Sequence, residues 1–358
     1  MLNRTGLWLR REVAAHEQRT ALVPADAAAL VEAGVTVTVE EAPQRAFPIG
    51  EYAAAGCRVV PGDTWPDAPP GDFILGLKEP SSKAWALTHR HVFFGHAYKG
   101  QEGAANLLRR FARGGGTLLD LEALVDGAGR RVVAFGFWAG YVGAALAVLH
   151  HRGELDAPLC SMSREELDAK LRRTPAAERV LVIGALGRAG RGACEALGVA
   201  GVRTTEWDLE ETRDFERERL LAHEVLVNTV FAAEPGMPFL TGDDLLRGDR
   251  KLLTVCDVTC DVTSACNRLP VNDKITTWAE PSRRLHAGSP VLDVLAIDNL
   301  PSLLPRESSV AFSADLVPYL RALYRRAGAG DGDPVWVRCE DQFRAAAAGL
   351  DEEGDDVG

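Results

Sequence analysis

The chain lacks any apolar run of 18 or more residues, so no segment reads as a helix that crosses a bilayer. Its start lacks the charged, then apolar, then small order of a secretory signal, and a cytoplasmic protein is expected. Positive charge is in deficit. Forty Lys and Arg stand against 51 Asp and Glu, a net charge of −11, which excludes a general nucleic-acid or anionic-membrane surface. Cysteine is sparse and irregular. Seven residues, an odd number, predict reduced thiols and no disulfide framework. Cys256, Cys260 and Cys266 lie close together, but the spacing C-x3-C-x5-C has no nearby His. Cys256 also falls inside the apolar run Leu252 to Val258, so no metal site is expected. No internal repeat of fixed short period is found.

What is present suits a soluble globular protein with 46% hydrophobic residues and a length, 358, sufficient for two domains. Strand and helix patterns alternate. Strands are predicted at Gly6 to Arg10, Val35 to Glu40, Arg58 to Val60, Phe73 to Leu77, His91 to Phe94, Thr117 to Asp120 and Arg130 to Ala134. Helices are predicted at Pro24 to Ala33, Tyr52 to Ala55 and Gly103 to Arg113. Phe137 to His150 forms a further helix, too uniformly apolar for a surface. Past the polar stretch Ser163 to Glu178, a second α/β unit follows, with strands at Val225 to Val230, Leu252 to Val258 and Val294 to Ile297. Asp315 to Arg325 is a helix that crosses back. The fold class is α/β: two Rossmann-like parallel-sheet domains separated by an active-site cleft. The expected division is 1–135 with 306–358, and 136–305. The acidic tail Asp351 to Gly358 is predicted disordered.

Val180 to Gly190 reads VLVIGALGRAG, an apolar run breaking into glycines at Gly184, Gly187 and Gly190. A buried strand that turns sharply into a helix aims backbone amides and the helix dipole at an anion, usually a dinucleotide pyrophosphate. The pattern is G-x-x-G-x-x-G, not the usual G-x-G-x-x-G, and a plain glycine turn is the alternative. A second apolar stretch, Val199 to Trp207, ends at Asp208, about 20 residues on, where an acid meets a ribose hydroxyl. No Lys or Arg follows until Arg213, so NAD is expected in preference to NADP.

Ligands of open parallel sheets gather at the carboxyl ends of strands. Lys78 and His96 each stand at such an end, in G-L-K-E-P and F-G-H-A-Y-K-G-Q. A lysine packed against an apolar strand can serve as a base; it can equally only bind a carboxylate. An imidazole titrates near neutrality and suits proton transfer. Arg19, Lys99, Arg130 and Arg131 add cations to the same strand ends. In so acidic a protein such a cluster suits a small molecule with several carboxylates. Glu122 either tunes one of the bases or is a plain surface acid.

These segments match a family. E-x-R-x-A-L-x-P (Glu17 to Pro24), G-L-K-E (Gly76 to Glu79), H-A-Y-K-x-Q (His96 to Gln101), G-T-L-x-D-L-E (Gly116 to Glu122), R-R-V-x-A-F-G-F (Arg130 to Phe137) and I-D-x-L-P-S-L-L-P-R-E (Ile297 to Glu307) join the glycine motif. Together they resemble the NAD-dependent, lysine-forming saccharopine dehydrogenases, relatives of alanine dehydrogenase and the N-terminal part of transhydrogenase. The resemblance runs from about Leu7 to Val337. It implies oxidation of a secondary amine by NAD, hydration of the imine and collapse to lysine and 2-oxoglutarate. It also implies Lys78 and His96 as the acid–base pair. Arg19, Lys99, Arg131, Phe135 and the run Thr259, Cys260 and Asp261 would face the substrate. Gln101, Arg130, Gly184, Gly187, Arg188, Asp208, Thr212, Phe231, Val258, Asp298, Asn299 and Leu300 would hold NAD.

The chain departs from the family at the tyrosine near the adenosine, here Phe231. A cysteine pair of a fungal relative is replaced by Ala189 and Thr229, so redox control is not expected there. The D-V-S-A-D loop reads Asp257-Val258-Thr259-Cys260-Asp261, and an aromatic residue after Q-x-G is Ala104. A dehydrogenase for another amino-acid and 2-oxo-acid conjugate, an alanine dehydrogenase-like enzyme and a non-catalytic NAD-binding protein are the alternatives. The expected partners are small molecules, with no nucleic acid or membrane, and a monomer or small homo-oligomer.

Overall fold

A computed structural model of the chain describes residues 5–14, 16–82, 85–98, 103–326 and 333–354. The chain forms two compact units, Met1–Ala134 with Ser308–Gly358, and Phe135–Glu307. Each is built on a six-stranded sheet with helices, so the expected pair of Rossmann-like α/β domains is what the chain forms.

In the first unit the strands are β1 (Leu7–Leu9), β2 (Val37–Glu40), β3 (Arg58–Val60), β4 (Phe73–Leu75), β5 (Arg90–Phe93) and β6 (Thr117–Asp120). They lie in the order β3-β2-β1-β4-β5-β6, all parallel. The order reverses direction between β1 and β4, which makes the carboxyl ends there a natural ligand position. Leu7, Leu9, Phe73, Ile74, Leu75, Val92 and Phe93 are all buried, as expected of strands covered on both faces. The helix Pro305–Arg326 is locked on through hydroxyls. Ser309 Oγ accepts the Thr20 N–H at 2.9 Å and Ser313 Oγ accepts that of Val23 at 3.1 Å.

The second unit contains β7 (Arg179–Ile183), β8 (Arg203–Trp207), β9 (Val225–Asn228), β10 (Thr254–Asp257), β11 (Arg283–His286) and β12 (Leu292–Leu295). Their order is β8-β7-β9-β10-β12-β11, parallel except for β11 at the edge. Alternate strand residues feed two separate cores. Val180, Val182, Val225, Val227 and Leu295 pack with Tyr141, Leu146, Ala193 and Leu197. Leu181, Ile183, Leu226, Val255 and Val294 pack with Trp207, Phe239 and Leu240. The period-2 side-chain alternation of a strand thus builds both layers at once.

The helix Gly136–His151 needs its glycines to approach its neighbour, the helix Arg188–Val199. A Cβ on Gly140 would lie 1.7 Å from the Ala189 carbonyl oxygen, and one on Gly192 would lie 1.9 Å from that of Phe137. At 16 residues and about 24 Å it is short of a bilayer. No helix among the described residues is long and apolar enough to cross a membrane.

Three sequence expectations differ from the structure. Residues 130–134 form no strand; Arg131 makes only an isolated antiparallel bridge with Val125, closing a tight turn. Edge strand β11 went unseen because Arg283, Arg284 and His286 give it no apolar alternation. The described part of the acidic tail, 351–354, continues the helix Pro334–Gly354, and 355–358 lie outside the described residues.

Candidate active site

In the first unit, buried acids at strand ends shape the loops that carry the candidate bases. Lys78 follows β4, half-buried, and its loop is gripped from two sides. Glu12 accepts the N–H of Leu77 at 2.7 Å and that of Lys78 at 3.1 Å. The Arg10 guanidinium, almost fully buried, donates to the Lys78 carbonyl. Gly76 is the residue that lets Arg10 through, since a Cβ there would lie 2.4 Å from the guanidinium carbon.

Arg19 is only 3% exposed. Its Nε and one terminal nitrogen fork the Glu17 carboxylate at 2.8 and 2.6 Å, the two-point geometry that guanidinium favours. Burial pushes the Glu17 carboxyl upward, but the Arg19 bonds and the charges of Arg19 and Lys78 win and hold it below the usual range. Arg19 is therefore committed to an acid of the same loop, a pairing that sequence reading missed.

His96 follows β5 on the strand end next to Lys78, where the Leu77 carbonyl accepts the Phe94 N–H at 3.1 Å. Its backbone is left-handed, with φ +49°, and its ring stacks on Phe94. Nδ1 lies 2.9 Å from Glu122, which follows β6, and the imidazole is half exposed. The other oxygen of Glu122 takes Arg131 at 3.3 Å. His96, Glu122 and Arg131 thus form one chain of contacts. Arg130 stands apart, its guanidinium paired with Asp126 at 3.0 Å and exposed to solvent. Lys99 and Gln101 lie outside the described residues.

In the second unit the glycine turn is confirmed in form. Gly184 follows β7 with φ +84°, where a Cβ would lie 2.6 Å from the Thr229 hydroxyl. Gly187 is the N-cap of the helix Arg188–Val199 and Gly190 is pressed against the Gly184 carbonyl, 2.1 Å from where its Cβ would be. The first-turn amides of such a helix have no acceptor inside it. Arg188 opens that helix, its methylenes crossing Gly136.

Asp208 follows β8. One oxygen accepts the Leu186 N–H of the glycine loop at 2.9 Å; the other accepts that of Leu209 at 2.9 Å. Thr212 spends its hydroxyl on the Asp208 carbonyl at 2.6 Å. Phe231, beyond β9, is 67% exposed. An anion-binding turn, an acceptor-only acid beside it and an uncovered aromatic face are what a dinucleotide needs, so these residues fit NAD.

The loop after β10 is organised by Asp257, which is fully buried. Its Oδ1 accepts from Asn228 at 3.1 Å and from the Thr259 hydroxyl at 2.7 Å, while Oδ2 has no partner among the described residues. Burial pushes the Asp257 carboxyl upward against the pull of Thr259 and Asn228. Cys260, with φ +53°, points its Sγ back at the Asp257 carbonyl, and the Asp261 N–H meets the Thr259 hydroxyl at 3.4 Å.

Val258 packs over Gly143, where Leu300 also lies. Leu300 is a core side chain, so any part it plays comes from its backbone. Asp298 takes the N–H and the side-chain amide of Asn299, whose φ is +61°. Phe135 is the half-buried N-cap of the helix Gly136–His151.

Residues 8–142 match the family described as alanine dehydrogenase/PNT, N-terminal domain. Among curated proteins, the chain is 41% identical to saccharopine dehydrogenase, NAD(+), L-lysine-forming, of Neurospora crassa, covering 97% of this chain and 98% of that one. It is 39% identical to the protein of that name from Candida glabrata, over 96% and 97% of the two chains. Among solved structures it is similar to an L-alanine dehydrogenase, with TM-score 0.68 and 17% identity over 95% and 94% of the chains. The transhydrogenase from Sinorhizobium meliloti gives TM-score 0.63 and 18% identity over 88% and 93%. The structural likenesses carry the fold, and the sequence likenesses carry more: the chain belongs to the family of NAD(+)-dependent, L-lysine-forming saccharopine dehydrogenases.

Proposed function

We propose that the chain oxidises saccharopine with NAD(+), releasing L-lysine and 2-oxoglutarate, and runs the reverse condensation as well. The name shared by the fungal relatives supports the reaction. The geometry of His96 supports its chemistry best. A carboxylate at 2.9 Å fixes the proton on Nδ1 and leaves the Nε2 lone pair outward, with no protein partner among the described residues.

When bound, NAD(+) supplies the acceptor for the hydride that leaves the carbon bearing the secondary amine. The residues of this chain then move protons. Lys78 takes the proton from the amine nitrogen as its C–N bond becomes an imine. His96 takes a proton from the water that adds to the imine carbon. As the carbinolamine collapses, His96 returns its proton to the lysine nitrogen, the C–N bond breaks, and His96 takes the hydroxyl proton as the carbonyl of 2-oxoglutarate forms. General acid–base help of this kind is worth about 10²–10⁴-fold per group.

Arg131 reaches one substrate carboxylate while Glu122 steadies it. Arg19 serves from its buried fork with Glu17, acting on the charge of the Lys78 loop, and Lys99 adds a further cation. Phe135 and the run Thr259 to Asp261 face the amino-acid moiety. Gly184, Gly187 and Arg188 take the pyrophosphate, Asp208 and Thr212 the ribose, and Phe231 the adenine face. Gln101, Arg130, Val258 and the backbone of Asp298, Asn299 and Leu300 complete the cofactor's surroundings.

Presenting saccharopine and alanine side by side with NAD(+) and following nicotinamide reduction tests the reading. Reduction with saccharopine at rates far above those with alanine is expected. Turnover of alanine alone would overturn it.

A further inference from the structure

We propose that Asp120 is the positioning residue of the His96–Glu122 pair: one buried carboxylate gathers the loops that carry both. The proposal rests on the role given to His96 above.

Asp120 is the last residue of β6 and is fully buried. Its Oδ1 accepts the Gly95 N–H at 3.0 Å and the Glu122 N–H at 2.9 Å, and its Oδ2 accepts the Ala97 N–H at 3.4 Å. These donors flank His96 on both sides and include the amide of its partner Glu122. A single oxygen therefore ties the β5 loop to the β6 loop, and the Nδ1–Glu122 contact forms between the two tied loops. The seat is tight. A Cβ on Gly95 would lie 2.6 Å from Leu118 and 3.1 Å from Asp120 Oδ2.

His96 sits at φ +49°, a conformation that disfavours a side chain and persists only where the surroundings hold it. Phe94 packs on one face of the imidazole, and Asp120 fixes the backbone on either side. Without that grip the residue is free to relax to negative φ, and the ring would swing away from Glu122. Asp120 touches no substrate; it acts through the two residues that do the work.

The test uses the full chain with isotope-labelled histidine and compares Asp120→Asn, Asp120→Leu, Glu122→Gln and the double variant Asp120→Asn with Glu122→Gln. Asp120→Asn keeps the shape and one carbonyl oxygen for two of the three donors and turns an amide donor on the third, so it is the decisive variant. In its spectrum the hydrogen-bonded Nδ1 resonance of His96 is expected to move part of the way to its position in Glu122→Gln. Its kcat should fall three- to tenfold while KM for NAD(+) stays within twofold. Asp120→Leu, where it folds, should move the resonance fully.

In the double variant kcat should be no lower than in Glu122→Gln, because both changes break one contact. A folded Asp120→Asn with an unmoved His96 resonance would overturn the proposal, as would losses that multiply in the double variant. Because the resonance is read without substrate, it decides the matter even if saccharopine proves not to be turned over, which would sink the functional reading alone.

Discussion

Gly140→Ala probes whether the glycine-loop helix is held by backbone contact with its neighbour. The added Cβ would fall 1.7 Å from the Ala189 carbonyl oxygen, so the helices Gly136–His151 and Arg188–Val199 must part by about 2 Å to reach ordinary contact. Neither surface can yield by rotating a side chain, because the struck atom is backbone. That puts the cost at the upper end of overpacking, about 3 kcal/mol, offset by about 1 kcal/mol of helix propensity gained over glycine. The net loss of about 2 kcal/mol corresponds to a fall of about 4–8 °C in the melting of a unit this size. Ala189 follows Arg188 at the start of the helix beneath Gly184, so NAD(+) affinity should fall with it. Gly198→Ala in the same helix is the control. Nothing lies within 4 Å of its added Cβ, and it should stabilise by about 0.5–1 kcal/mol. Scanning calorimetry and NAD(+) titration of both variants read the outcome. A Gly140→Ala protein that melts with the wild type and binds NAD(+) equally would show that the two helices are not in the close contact described.

Lys78→Met and His96→Gln should each slow saccharopine turnover at least tenfold with NAD(+) binding intact, and wild-type rates in both would remove their assigned roles. Asp208→Ala should loosen both the ribose contact and the Leu186 amide, weakening NAD(+) several-fold while the saccharopine KM holds; equal NAD(+) affinity would refute the cofactor reading. His91 is fully buried with both ring nitrogens unpartnered among the described residues. Burial, and then the charges of Arg10, His89 and Arg110, hold its pKa well below 6.5. The native state therefore keeps it neutral while the unfolded chain binds a proton below that value. Stability is fully present above about pH 6.5 and drains at up to about 1.4 kcal/mol per pH unit below it. His151 and His223, also shifted down chiefly by burial, add in the same sense. Urea unfolding of His91→Phe across pH 7 to 5 should show a shallower loss than wild type, and parallel curves would contradict this.

The glycine turn and the strand ends were legible because their signals are local. An apolar run meeting glycines, and a lysine or histidine directly after such a run, fix position without any knowledge of the fold. That both sheets are largely parallel followed from the strand–helix alternation, whereas their strand order and the antiparallel edge β11 did not. What stayed hidden are the long-range pairings. Glu40, fully buried, accepts from Trp8 and from the amides of Arg11, Asp63, Thr64 and Trp65, and no spacing rule joins those residues. Asp120 and Asp257 do the same for the loops of the candidate site, yet in sequence each is only an acid after apolar residues. Arg19 read as an open cation because Glu17 two residues away could not be placed until the loop was. Arg130 to Ala134 read as a strand because its valines carry the propensity, whereas the turn at Asp126 spends its amides on itself.

Quantifying products against NADH in a single reaction with saccharopine goes most directly to the chemistry. One lysine and one 2-oxoglutarate should appear for each nicotinamide reduced, with no ammonia. Reduction that releases ammonia, or that leaves lysine absent, would mean that the amine is not a secondary one joined to a 2-oxo acid and that the proposed reaction is wrong.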